Sequence, residues 1–213
     1  METPSNTKKI LDGKYAFKAM DYDTYLKTVA GLLSENKVTG PIQSEALVEY
    51  SRLNMHRMHR IKKTMQVLPE VKSILESITL PQTWVVLTEG WCGDAAQILP
   101  VLNGLSQLNG NIKLVLLLRD ENLDLMDQYL TNGTSKSIPK LIVYDSSTRE
   151  ELFNWGPRPA VVQEKLWNMM QEGMLYETIK EEVHRWYAKD RTNSTQNEIS
   201  NLVREHSKPD PIT

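Results

Sequence analysis

The sequence predicts an α/β domain, a mixed four-stranded sheet flanked by helices, and three observations carry that prediction. Residues 84–88 and Ile112–Leu118 are continuous apolar, β-branched or Leu-rich runs, the pattern of strands buried on both faces. Between and around these runs, apolar residues recur at helical spacing. A third run, residues 141–144, is followed by Asp145-Ser146-Ser147 and then by Glu151–Trp155, which reads as an antiparallel hairpin. The expected order through this region is β-α-β-α-β-β-α.

The elements follow in turn. Residues 1–20 are polar and mixed and read as a loose arm. Tyr22, Tyr25, Leu26, Val29, Leu32 and Leu33 mark a helix over 21–36, closed by Gly40-Pro41. Ser44 with Glu45 starts a second helix, whose stripe (Leu47, Tyr50, Leu53, Met58, Ile61, Met65) runs to about residue 67. Pro69 ends it, because proline lacks an amide hydrogen and disfavours the α region for the residue before it. A short helix over 70–77 precedes the first strand. After that strand come a helix over 95–108 containing Pro100, the turn Asn109-Gly110, the second strand, and a helix over 123–130 ended by Asn132-Gly133. Pro139 opens the third strand. Gly156-Pro157-Arg158-Pro159 leads from the hairpin into a helix over Ala160–Gln171. Tyr176, Ile179, Val183 and Trp186 mark one more amphipathic helix to about residue 188, wide enough to dock on another surface. Residues 190–213 offer only Ile199, Leu202 and Val203 for burial and read as a frayed helix with a disordered end.

The bulk numbers bound the function. A length of 213 residues at 40% hydrophobic content suits one domain with additions. The 25 basic and 27 acidic residues nearly cancel, which argues against nucleic acid as a partner. No apolar run approaches the roughly 20 residues that span a bilayer, and the polar start has no secretory apolar core, so no membrane association is expected. A single cysteine forbids an internal disulfide and points to a reducing, cytoplasmic setting.

That cysteine sits in the sharpest feature of the chain, Thr88-Glu89-Gly90-Trp91-Cys92-Gly93-Asp94-Ala95, between a buried strand and a helix. A thiol at a helix N-terminus faces free amides and the positive end of the dipole, which favour thiolate. Asp94 opposes this by its own charge. The net expectation is a reachable thiol with a modestly lowered pKa. Trp-Cys-Gly at a strand-to-helix turn resembles the thioredoxin active site, whose family pattern is Trp-Cys-Gly-Pro-Cys. Ser137-Ile138-Pro139 resembles the family's cis-proline segment, and Gly156 its glycine after the hairpin. The resemblance covers residues 83–171. The wider string, with Asp120-Glu121-Asn122 after the second strand, is similar to a bacterial branch of thioredoxin family proteins. It implies a thioredoxin-like fold with Cys92 as the nucleophile. It also implies that Trp91, Gly93, Asp94, Ile138, Pro139 and Gly156 line the substrate site, and that the backbone at Ile138 holds an extended peptide or glutathione.

The departures are as informative. Asp94 stands where the family has proline, and Ala95 where it has the resolving cysteine. Such a chain can form a mixed disulfide and cannot release it alone. Two functions follow. One is monothiol thiol-disulfide exchange, with glutathione or another small thiol as co-substrate. The other is a non-catalytic binding or scaffold protein on the same fold. A peroxidase would need a threonine and an arginine aimed at a peroxide, and no such set is identifiable. His56 and His59 lie about one helical turn apart, but Arg57, Arg60, Lys62 and Lys63 surround them and no third ligand is evident, so no metal is expected. Arg119-Asp120-Glu121 reads as a solvated loop. Arg158, beside Gly156, would favour a thiolate or hold an anion. The expected organisation is an arm (1–20), a helical extension (21–80), the thioredoxin-like domain (81–172) and a C-terminal helix with a polar tail (173–213). The extension's apolar stripes pack either on the sheet domain or in a homodimer.

Overall fold

A computed structural model describes residues 15–206. Three helices, α1 (Tyr22–Ser34), α2 (Glu45–Thr64) and α3 (Pro69–Glu76), lead into β1 (Gln82–Thr88). There follow α4 (Gly93–Ser106), β2 (Ile112–Leu118), a 3-10 turn (Arg119–Glu121) and the one-turn α5 (Leu123–Met126). The hairpin β3 (Lys140–Asp145) and β4 (Glu151–Trp155) and the helices α6 (Ala160–Gln171), α7 (Tyr176–Asp190) and α8 (Asn193–His206) complete the chain. The sheet order is β2-β1-β3-β4. β1 pairs parallel with β2 and antiparallel with β3, and β3 pairs antiparallel with β4. This is the mixed four-stranded sheet the sequence predicts.

β1 is buried along its whole length, which accounts for its unbroken apolar run. Its register fixes the geometry that follows. Leu87 lies across from Lys140, so Pro139, one residue earlier, faces the carboxyl end of β1 where the loop to Cys92 begins.

α2 starts where the sequence predicts, with the Ser44 hydroxyl accepting from the Leu47 amide. It lies along α4. Glycines of α4 make room for it: a Cβ at Gly93 would overlap the Tyr50 hydroxyl, and one at Gly104 the methyl of Met65, the residue that ends α2. Val48, Met58 and Ile61 join the main core with Tyr25, Val29 and Leu75. The apolar stripes of the N-terminal helices are therefore used within the chain, on the sheet domain. Leu53 of the α2 stripe stays about half exposed.

Two readings change. The segment before α1 is held where described: Tyr15 is buried, and Met20 bridges Leu116 at the edge of β2 through two backbone hydrogen bonds (2.9 and 2.7 Å). The rest of the expected arm, residues 1–14, lies outside the described residues. Past residue 190 the chain forms α8, docked on α3, α4 and β4 with Ile199 and Val203 fully buried. Polar contacts fix it. The Glu198 carboxylate accepts from the Trp155 indole (2.7 Å) and from the Ala160 amide (2.9 Å). Residues 207–213 of the expected disordered end lie outside the described residues. No helix among the described residues is long and apolar enough to cross a membrane.

Candidate functional site

Cys92 is the N-cap of α4, placed there by the tight turn from β1. Its Sγ accepts from the Ala95 amide (3.4 Å) and donates to the Ile138 carbonyl (3.2 Å). The Ile138-Pro139 bond is cis. Gly156 has φ +116°, and a Cβ there would overlap the Pro139 carbonyl oxygen. No other residue type fits that contact. The structure thus brings Cys92, Gly93, Asp94, Ile138, Pro139 and Gly156 into one site, with Trp91 on its rim. The Gly156-Pro157 bond is also cis, which nothing in the sequence reading anticipated.

The expected reachable, acidified thiol is not what the fold produces. Cys92 is 8% exposed. Burial first, and the Asp94 charge second, push its thiol up to about 12. The Ala95 and Asp94 amides and the Arg158 cation act the other way and are outweighed. The helix terminus and Asp94 are local to the motif, whereas the desolvation of Cys92 comes from segments distant in sequence.

The cover over the site comes from the segment after β4, through Arg158 and α7, with Tyr50 of α2 against it. Asp94 is held by Arg158 (Nη2 to Oδ2, 2.5 Å) and by the Tyr187 hydroxyl, which donates to Oδ1 (2.8 Å). Asp94 is therefore locked in a partly buried ion pair and does not sit free at the helix start. Removing one partner of such a pair strands the other charge. Asp94→Ala is expected to cost about 3 kcal/mol in urea denaturation, and pairing it with Arg158→Leu is expected to recover most of the loss. A double variant no more stable than Asp94→Ala would show that the pair is not the cause.

His184 of α7 sits against Gly93, with Nε2 2.7 Å from the Tyr50 hydroxyl and Nδ1 3.4 Å from Gln97 Nε2. Burial, then the Arg57 charge, lowers its pKa to about 4, with Lys180 adding to the fall and Asp94 opposing it. Because the folded pKa lies below the unfolded value of about 6.5, the unfolded chain takes up the proton first. The contribution is complete above about 6.5 and is lost as pH falls towards 4. At pH 5 it amounts to a loss of about 2 kcal/mol relative to pH 7. In chemical denaturation at the two pH values, His184→Gln should remove that difference; an unchanged difference would assign it elsewhere.

The rim is built by residues the sequence did not connect. The Trp91 indole donates to the Thr39 carbonyl (3.1 Å), and the Gly90 amide donates to the Thr39 hydroxyl (2.9 Å). Asn54, wholly buried on α2, donates to the Gly90 carbonyl (3.1 Å). Glu89 is fully buried and accepts from the Asp120 amide (2.8 Å); burial raises its pKa. Arg119 stacks over Trp91 with its guanidinium 4.9 Å from the ring and pairs with Asp120 (2.7 Å). The segment expected to be a solvated loop instead anchors the site. Among the described residues, no three His, Cys, Asp or Glu side chains gather as a metal site requires, and His56 and His59 are exposed.

A helix-capping thiol set against a cis-proline, on a sheet of this order, defines a protein of the thioredoxin-like class. The chain belongs to the thioredoxin family: a family model described as thioredoxin matches residues 40–174. The matched span begins before α2, so α2 and α3, read from sequence as an extension, lie inside it. Two solved structures share the fold. One is a protein of unknown function from Pseudomonas aeruginosa (16% identity, TM-score 0.57), whose alignment covers 83% of this chain and 96% of that one. The other is an HIV epitope-scaffold (16% identity, TM-score 0.55), with 83% and 97% covered. No curated protein matches.

Proposed function

We propose that this chain is a thioredoxin-fold binding protein in which Cys92 is kept as a protonated, covered thiol. The observation that supports this most directly is the placement of the sulfur. It donates to the Ile138 carbonyl, the group that an extended substrate would need, beneath a layer made by Asp94, Arg158 and Tyr187. Ala95 supplies no second sulfur. A dithiol cycle needs one thiolate to attack a disulfide sulfur and a second to expel the product. Here the first is disfavoured and the second is missing.

Monothiol exchange is the second reading. It is favoured by the small apolar cluster that α6 and α7 share (Val162, Met169, Ile179, Val183 and Tyr187), separate from the main core. A unit with its own core can lift as a unit. Once uncovered, the Cys92 thiolate would attack a disulfide substrate, expelling one half as thiolate and keeping the other as a mixed disulfide. A small thiolate such as glutathione's would then attack that mixed disulfide, leave joined to the substrate half as a new disulfide, and return Cys92 as thiolate.

The test is reduction of bis(2-hydroxyethyl) disulfide with glutathione as reductant, comparing the wild-type chain with Cys92→Ser. Equal background rates are expected. A rate that depends on Cys92 would replace the binding reading with monothiol exchange.

A further inference from the structure

Next to the cover over Cys92, with which it shares Tyr187 and Gln97, a cavity of about 630 Å³ opens between the end of α2 with the loop to α3 and the turn from α7 to α8. That size falls in the range of small-molecule sites. Its wall holds two arginines, Arg60 and Arg191, and no carboxylate. Both arginines are exposed, and neither is in an ion pair among the described residues. The nearest acid in sequence, Asp190, is turned to the Ser194 amide and hydroxyl, so it caps α8. That cap engages Asp190, which leaves Arg60 and Arg191 as the charged residues lining the cavity. Ile61 and Leu68 supply apolar wall beside them.

The walls are held at a set spacing. Gln196 is wholly buried. Its Oε1 accepts from the Leu68 amide (3.0 Å), while its Nε2 donates to the Gln66 carbonyl (3.1 Å) and to the Thr192 hydroxyl (2.9 Å). One side chain thus ties the α2–α3 loop to the α7–α8 turn. That turn is unusual in its own right. Arg191 and Thr192 both have left-handed backbones (φ 52° and 72°), and for a β-branched threonine this is a rare conformation. A pre-spaced apolar wall with two unengaged guanidinium groups suits a ligand with one anionic head and an apolar body.

We propose that this cavity binds a small organic carboxylate, its head between Arg60 and Arg191 and its body against Ile61 and Leu68. The cavity shares Tyr187 and Gln97 with the cover over Cys92, but its two arginines lie outside that cover, and the proposal stands whether or not the thiol turns over. The experiment is amide chemical-shift mapping on the full chain, titrated with octanoate, 1-octanol and inorganic phosphate. Saturable shifts centred on Thr64, Leu68 and Ala188 are expected with octanoate. Binding should be about tenfold or more tighter than for octanol or phosphate. The double variant Arg60→Gln/Arg191→Gln, both positions being exposed, should keep the wild-type spectrum elsewhere and lose about tenfold or more of octanoate affinity. The proposal is overturned if those amides do not shift saturably. It is equally overturned if octanol or phosphate binds as tightly as octanoate, or if the double variant binds like wild type.

Discussion

Iodoacetamide will label Cys92 in the native chain at least about a hundredfold more slowly than a free thiol at pH 8. The arithmetic starts from the thiolate fraction. A thiol of ordinary pKa, about 8.5, is roughly one quarter thiolate at pH 8. With the pKa pushed up to about 12, the fraction falls to about one in ten thousand, a loss of some three orders of magnitude. A more basic thiolate is a better nucleophile, which returns about one and a half of those orders. The remainder, about a hundredfold, precedes any hindrance from Tyr187 and His184. Cys92→Ser serves as the blank, and labelling in about 6 M urea should restore the free-thiol rate. Native labelling within about tenfold of the free thiol would contradict the buried, protonated state and return the site to redox chemistry.

Gly156→Ala is expected to destabilise the chain by about 3 kcal/mol or more, or to prevent folding. Two costs add. The backbone stands at φ +116°, a region that L side chains rarely adopt, and the new methyl would meet the Pro139 carbonyl, part of the rigid start of β3. Backbone cannot swing aside as a flexible side chain would. Gly133 gives the contrast. It too has positive φ (+72°), but a Cβ there meets nothing within 4 Å. Gly133→Ala should therefore cost only the conformational part, about 1 kcal/mol. Denaturant midpoints of the two variants test this; equal losses would mean that the contact with Pro139 contributes nothing.

Much of the fold was legible because it is written in local periodicity. The unbroken run of β1, the span of β2 and the capping serine of α2 each follow from neighbours within a few residues. The thiol, the proline and Gly156 were legible too, as a known spacing of motifs. The missing part is long-range. α8 looks too polar to dock because part of its attachment is hydrogen bonding by Gln196 and Glu198, which no hydrophobic pattern records. Thr39 and Asn54 reach the Cys92 loop from positions 51 and 36 residues away from Gly90. The amphipathic face of α7 was visible in the sequence, but the surface it would choose was not. That choice decides the state of Cys92, since desolvation depends on what lies above the sulfur.

The chain leaves the main core at the end of β4, runs through α6 and α7, and returns to it in α8, where Ile199 and Val203 are buried. The cover over Cys92 is therefore a loop anchored at both ends, not a free tail. Its two halves stay close to the site even when lifted, so reclosure is a local search at a rate independent of protein concentration. A nick in the turn between α6 and α7 would leave both halves tethered, one to β4 and one to α8. Exchanging the cover between two molecules would need both anchors to release together. The arrangement favours a self-contained monomeric closure over a swapped dimer.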